Sequence, residues 1–122
     1  MTKTKLLNDY KLPAFKYLEL EALFDTGAYI SVCTLSRAVF ELMFPNNFKY
    51  WGEGAVQGFG GEAKGDLYQV ISTEIAGVKF NNVNFFIPHE PTIDFKFVIT
   101  GTLFKDCPYT IDMVNHELQI HN

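Results

Sequence analysis

The 122-residue chain has little of several features that mark particular classes of protein. Two cysteines, with no Cys-x-x-Cys pair, are too few for a disulfide framework and give no zinc or redox motif. No apolar run reaches the roughly 20 residues of a membrane-spanning helix, and none resembles a signal-peptide core. Acidic residues outnumber basic ones by 14 to 10, so the charge favours no nucleic-acid partner. These absences predict a soluble cytoplasmic protein that binds neither membrane nor nucleic acid.

Apolar residues, in contrast, are plentiful. They make up 48% of the chain, and aromatic residues make up 16%. This content is enough for a buried core, while the length suits one compact domain rather than two. We therefore predict a single domain over residues 1–122, with residues 1–16 forming a less ordered amino-terminal arm.

Most of the sequence has the pattern of short strands separated by turns. Residues 17–24 alternate apolar and acidic side chains before an apolar end, which is typical of a half-buried strand. Gly77 and the pair Asn81-Asn82 are predicted turns. Further strands are predicted at 67–75, 78–80, 83–87 and 95–99, with a closing hairpin formed by 109–113 and 117–121.

One segment has helical spacing. Between Ser31 and Phe44, apolar residues recur every three or four positions, which predicts an amphipathic helix that ends at Pro45. Leu103-Phe104 can begin a second, short helix. Many short strands with one or two short helices indicate a mostly β barrel or sandwich.

The sharpest local feature is the turn Asp25-Thr26-Gly27-Ala28, which follows directly on an apolar strand. An Asp-Thr-Gly tripeptide alone is a common turn, because Asp binds nearby backbone amides and Gly accepts positive φ. Two later features give it context. A glycine-rich segment reads Gly58-Phe59-Gly60-Gly61, and a second apolar strand ends as Val98-Ile99-Thr100-Gly101.

Together these features resemble the retropepsin-like aspartic proteases, over about residues 17–120. The resemblance implies a closed β-barrel of the acid protease fold, single lobe, with Asp25 as the catalytic carboxylate. Thr26 would link the two active-site loops, and Gly27 and Ala28 would let the substrate backbone approach closely. Gly58 to Gly61 would form the tip of a flap over bound peptide. Val98, Ile99 and Gly101 would brace the catalytic loop.

Three positions depart from the family pattern. Thr100 stands where Leu, Ile or Val is usual, Tyr29 where Ser, Asp or Asn is usual, and Thr102 where viral members often have Arg. These changes concern substrate contact and loop bracing more than the catalytic Asp.

The resemblance also implies an assembly. Aspartic-protease chemistry needs two carboxylates about 3 Å apart that share one proton. The chain has one Asp-Thr-Gly and is too short for two lobes, so the second Asp25 would come from another copy in a C2 homodimer. An extended peptide or protein would be the substrate, with Phe59, Leu23, Ile99 and Tyr29 as pocket-lining candidates.

Two other segments resemble functional motifs but lack the required spacing or order. His116-Glu117 and His121 lack the four-residue histidine spacing of a zinc protease helix, and residues 60–65 lack the order of a phosphate loop. Neither a metal nor a cofactor is therefore expected. Asp112 is predicted to have a surface or turn role. Asp66, Asp94 and Asp106 are not preceded by an apolar strand that leads into a turn, so they lack the pattern found at Asp25.

Two other classes remain open. One is a retropepsin-like module that binds peptide or dimerises without catalysis. The other is an unrelated small β-barrel in which Asp25 merely caps a turn.

Overall fold

The computed structural model describes residues 1–7, 11–14, 20–25, 30–58, 61–90, 95–104 and 107–121. Within these ranges the chain is mostly β, and no helix has the length and apolar character needed to cross a membrane. In chain order the elements are β1 (Thr2–Lys5), β2 (Lys11–Ala14), β3 (Leu20–Asp25), β4 (Ser31–Cys33), α1 (Arg37–Met43), β5 (Phe48–Gly58), β6 (Gly61–Ile75), β7 (Val78–Pro88), β8 (Phe97–Thr100), a 3₁₀ turn (Gly101–Phe104), β9 (Tyr109–Asp112) and β10 (Glu117–Ile120).

The strands form two sheets. In the smaller, antiparallel sheet, β10 lies between β1 and β9. The larger sheet has the order β2-β3-β8-β4-β7-β6-β5, and a further pairing of Ala14 in β2 with Ile75 in β6 closes six of its strands into a ring. The predicted mostly β fold with one or two short helices is therefore confirmed.

The core is largely aromatic. All four residues of β8 are buried, as expected for a strand with neighbours on both sides. Phe40 is the buried residue of α1, and its ring lies 4.9 to 5.8 Å from the ring centroids of Phe44, Tyr68 and Phe85. Tilted and edge-on contacts of this kind add about 0.5–1.5 kcal/mol each to the burial of apolar area.

The helix predicted from Ser31 to Phe44 is wrong in its first part. Residues 31–33 form β4, because this segment fills the gap between β7 and β8 and pairs with both. The helix begins after Ser36, whose side-chain oxygen accepts a hydrogen bond from the Val39 backbone N–H at 3.3 Å. Leu42 is 80% exposed, so the apolar spacing did not mark the side of α1 that faces the core.

The turn predicted at Asn81-Asn82 is also wrong, because β7 continues through both residues. Asn82 has a φ of 57°, a conformation that Asn adopts more readily than most residues. The ladder with β6 resumes on either side of it, and the N–H of Ile71 donates instead to the backbone oxygen of Asn47 at 3.0 Å. A local irregularity therefore replaces a reversal of the chain.

Two predicted hairpins are confirmed. Ala76 and Gly77 both have positive φ and connect β6 to β7, the conformation of a tight two-residue hairpin turn. At the carboxyl end, β9 and β10 pair around a turn in which Asp112 Oδ1 accepts from the N–H groups of Val114 and Asn115 at 3.0 and 3.1 Å. The bonds from Asn115 lower the pKa of Asp112, whose turn role agrees with the prediction.

The amino-terminal segment 1–16 contains two of the strands. β1 lies at the edge of the small sheet against β10, and β2 pairs with β3 in the larger sheet. The segment thus contributes to both sheets.

Candidate active site

Asp25 is the last residue of β3, where it is half-buried. The neighbouring strand is β8, which runs parallel to β3, with Val98 opposite Leu23 and Thr100 opposite Asp25. Ile99 lies between them and is completely buried. The strand register therefore places the backbone of Asp25 opposite Thr100, in the same ladder as the predicted bracing residues Val98 and Ile99.

β8 also pairs with β4 on its other side, in the antiparallel direction. The strand before the Asp25 turn and the strand that follows the turn are thus both attached to β8, one on each edge. The buried strand β8 therefore lies between β3, which ends at Asp25, and β4, which begins at Ser31. Gly101 follows β8 directly and begins the 3₁₀ turn.

Thr100 fits this buried position through its polar atoms. Its N–H donates to Ser31 Oγ at 3.3 Å, and its Oγ1 accepts from the N–H of Thr102 at 3.2 Å. The two threonine hydroxyls are also 3.2 Å apart. The Thr100 hydroxyl therefore finds its partners in the 3₁₀ turn, while the bond to β4 is made by the Thr100 backbone.

The rest of the predicted catalytic turn, Thr26, Gly27, Ala28 and Tyr29, lies outside the described residues. Phe59 and Gly60 lie outside them as well. Their predicted roles stay predictions.

The glycine-rich segment lies at the end of a long hairpin made by β5 and β6. Gly58 pairs with Gly61, so two residues connect the strands. The φ of Gly61 is +119°, which residues with a side chain rarely adopt. The hairpin continues past Gly65 and Pro88, the last pair between β6 and β7, so its end extends beyond β7.

The pocket-lining candidates divide into two groups. Leu23 lines a hollow of about 400 Å³ between β2, β3 and the segment 95–97. Ile99, in contrast, has no exposed surface and packs in the core. Tyr29 and Phe59 are among the residues outside the description.

A second polar cluster, which sequence motifs do not predict, surrounds Asp66 of β6. The Asp66 carboxylate is buried and contacts Tyr50, Arg37 and His89. Glu53 lies close enough that its carboxylate, that of Asp66 and the His89 ring can offer ligands to one metal ion. These residues share no motif spacing, so only the strand register brings them together.

Comparison with known proteins agrees with this architecture. No family model matches the chain, and no curated protein matches it. Among solved structures, a retropepsin-like aspartic protease from Rickettsia conorii aligns with a TM-score of 0.62 at 19% sequence identity, over 95% of this chain and 94% of that chain. The chain therefore has the retropepsin-like fold predicted from its motifs.

Proposed function

We propose that the chain is an aspartic endopeptidase, active as a C2 homodimer, that hydrolyses peptide bonds in extended segments. The observation that carries this proposal is the position of Asp25, at the end of β3 and beside β8, in a retropepsin-like fold. An Asp-Thr-Gly turn at this place in this fold is the arrangement that the family resemblance implies for a catalytic carboxylate.

The proposed chemistry uses one Asp25 from each subunit. Two carboxylates about 3 Å apart share a proton, because two negative charges at that distance cannot both form easily. The ionised carboxylate accepts a proton from a water molecule, which attacks the peptide carbonyl carbon. The protonated carboxyl donates to the carbonyl oxygen and stabilises the negative charge that develops there.

The buried strand β8 supports this role, because it pairs with the strands on both sides of residues 26–29. Parallel pairing with β3 positions the Asp25 backbone, while pairing with β4 positions the chain after the turn. In the proposed site, Val98 and Ile99 act as braces through this pairing and burial, and Gly101 starts the bend that follows. Thr26 to Ala28 provide loop contact and close substrate approach, as the resemblance implies.

The β5–β6 hairpin is the proposed flap. Its glycine-rich end extends beyond β7, and an extended substrate between it and the Asp25 turns would bind as an added strand. Backbone hydrogen bonds would provide affinity, and side-chain pockets would provide specificity.

Replacement of Asp25 by Asn tests the proposal. Purified wild-type protein incubated with a diverse peptide library should give cleaved products, which mass spectrometry identifies, and a pepstatin-like inhibitor should block their formation. Asp25→Asn should abolish cleavage, because an amide neither accepts the proton of water nor donates as a carboxylic acid. The matched control is Glu21→Gln on the exposed side of the same strand, which should keep activity.

Cleavage by Asp25→Asn protein at the wild-type rate would overturn the proposal. No cleavage by either protein, with peptide binding retained, would favour the non-catalytic peptide-binding module instead. A crosslink or structure showing the two Asp25 residues far apart in every assembly would favour a turn-capping role for Asp25.

A further inference from the structure

The buried carboxylate of Asp66 has two distinct oxygens. Oδ1 accepts a hydrogen bond from the Tyr50 hydroxyl at 2.7 Å and lies 3.8 Å from the Arg37 guanidinium. Oδ2 faces His89, with 3.2 Å to Nε2. The Asp66 side chain is 4% exposed, whereas that of His89 is 46% exposed. Oδ1 is thus engaged by Tyr50 and lies near Arg37, whereas Oδ2 is directed toward the His89 ring, which solvent can reach.

A bulge in β5 brings a second carboxylate to the same place. Tyr50 pairs with Tyr68, but the register then shifts, so that Gly52 pairs with Leu67 and Glu53 with Asp66. In a regular strand, residues 50 and 53 face opposite sides of a sheet. The extra residue in the bulge places Tyr50 and Glu53 opposite Tyr68 and Asp66, which share one face of β6. Gly52 accommodates the bulge with a φ of +103°.

The position of His89 is fixed by a close approach of β6 and β7. The His89 N–H donates to the backbone oxygen of Lys64 at 2.9 Å, just beyond the pair formed by Gly65 and Pro88. At Gly65 a Cβ atom would lie 2.7 Å from the Phe86 ring, so glycine allows the strands to come this near. His89 is thereby held next to Asp66.

We propose that Glu53, Asp66 and His89 form a binding site for one divalent transition-metal ion, of which Zn²⁺ is the type. Their ligand atoms all lie within 4.8 Å of one another. Two atoms bound to a tetrahedral zinc ion at about 2.0–2.1 Å from it lie about 3.4 Å apart. The separation of His89 Nε2 and Asp66 Oδ2 is close to that value, and the exposed Glu53 side chain can rotate to complete the set.

The kind of ligand favours zinc over calcium or magnesium. Ca²⁺ takes six to eight oxygen ligands and Mg²⁺ near-octahedral oxygen coordination, whereas one imidazole and two carboxylates suit Zn²⁺ with water in the remaining position. Tyr50, by donating to Oδ1, orients the Asp66 carboxylate as an outer partner of the kind that metal ligands commonly have.

The charges of the cluster also bear on binding. The positive charge of Arg37 partly offsets the negative charge of the two carboxylates, but Arg37 lies beside Oδ1. Two contacts hold it there. Its guanidinium carbon is 4.2 Å from the Tyr50 ring centroid, and its Nε–H donates to the Tyr68 hydroxyl at 2.8 Å. The ion would approach from the side of Oδ2 and His89. Arg37 therefore moderates the affinity without occupying the ligand positions.

A bound ion would join three parts of the sheet. Glu53 lies on β5, Asp66 on β6 and His89 just after β7, so the ion would tie both strands of the hairpin to the chain that leaves β7. This inference does not depend on the proposed peptidase activity.

Metal-free wild-type protein titrated with Zn²⁺ in a calorimeter tests the site. We expect one ion per chain and a rise in thermal midpoint with Zn²⁺ concentration, because the ion binds the folded state. His89→Gln and Glu53→Gln should each weaken binding at least about tenfold. The control His116→Asn removes another exposed histidine at a turn position with a φ of 53°, which Asn tolerates, and should bind as the wild type does.

Two further measurements make the result specific. Circular dichroism in chelator checks that both variants are folded, and Glu53→Gln keeps the proposal testable if His89→Gln is unstable. A Co²⁺-substituted sample should lack thiolate-to-metal charge transfer, since Cys33 and Cys107 are not in the site. Absence of saturable Zn²⁺ binding, unchanged binding in both variants, or a thiolate spectrum would overturn the proposal.

Discussion

Thr100 illustrates how one residue can be polar and yet suit a buried strand. Its hydroxyl has nearly the shape of a Val methyl group, but it accepts from the N–H of Thr102 at the point where β8 becomes a 3₁₀ turn. That N–H lies in the first turn of a helical segment, where intrahelical acceptors are lacking. The side chain of Thr100 therefore provides an acceptor for a backbone N–H at the point where the strand ends and the turn begins.

Thr100→Val should consequently destabilise the protein by about 0.5–1.5 kcal/mol, because it removes the hydroxyl that accepts from the Thr102 N–H. Urea unfolding measures the change. Thr102→Val is the matched control, since it removes the contact between the hydroxyls but keeps the N–H bond to Thr100. A loss for Thr102→Val as large as that for Thr100→Val would contradict this account.

The two cysteines differ in their surroundings. Cys33 lies in β4 with no exposed surface, and burial raises the pKa of its thiol to about 11, whereas Cys107 is half-buried. Since the thiolate is the reactive form, Cys33 should be inert at ordinary pH.

With a thiol reagent at pH 8, we expect one fast-reacting group per chain in the native protein and a second after unfolding. Cys107→Ser should remove the fast phase.

The raised pKa also means that the folded state holds the Cys33 proton more tightly than the unfolded state does. Its contribution to stability is full below pH 9 and is lost as the pH rises through about 11. Rapid native labelling of Cys33 would contradict this placement of β4.

Among the elements, β6 and β7 depend on a glycine at their closest approach. A Cβ on Gly65 would overlap the backbone oxygen of Ile87 and crowd the Phe86 ring, and neither group is the free end of a flexible side chain. The strands would have to separate, which would also disturb the bond from His89 to Lys64.

Gly65→Ala should therefore lower the free energy of unfolding by at least about 2 kcal/mol, as expected for overpacking in a rigid interior. Gly54→Ala is a matched control on the facing strand, because its Cβ would meet the movable Leu67 side chain at 3.0 Å. We expect a smaller loss for Gly54→Ala in chemical denaturation. Equal losses would show that the approach at Gly65 is not limiting.

The elements also show which parts of the structure the sequence predicts. The strand predicted over 17–24 and the terminal hairpin follow from local alternation and turn residues. The hairpin is confirmed, and so is the described part of the strand, which ends at Asp25. β4 was missed because residues 31–33 become a strand through pairing with two distant partners, which local spacing does not encode. The Asp66 cluster was missed for a related reason, since a bulge and a strand register assemble it.

At the scale of the whole molecule, the proposed active site is incomplete in one chain. One Asp25 supplies one of the two carboxylates that the reaction needs, so activity should depend on self-association. Specific activity should fall on dilution together with the dimer fraction measured by analytical ultracentrifugation.

A mixing experiment tests the shared site directly. When wild-type chains exchange subunits with an equal amount of Asp25→Asn chains, activity per wild-type chain should fall to about half, because mixed dimers hold one carboxylate. Mixing with Glu21→Gln chains should cause no such loss. Full activity in the first mixture would show that each subunit acts alone.

The ring of six strands closes at a single described residue pair, Ala14 with Ile75, beside a bond from the Ala76 N–H to the oxygen of Pro13. Pro13 has no N–H, so this seam lacks one donor that other residues would provide. The long β6–β7 ladder, in contrast, is paired over most of its length. The ring is thus closed, but few backbone hydrogen bonds join β2 to β6. Native fluctuations that open the ring should begin between these two strands. In a hydrogen-exchange experiment, the Ala76 amide should therefore exchange sooner than the amides of the β6–β7 ladder.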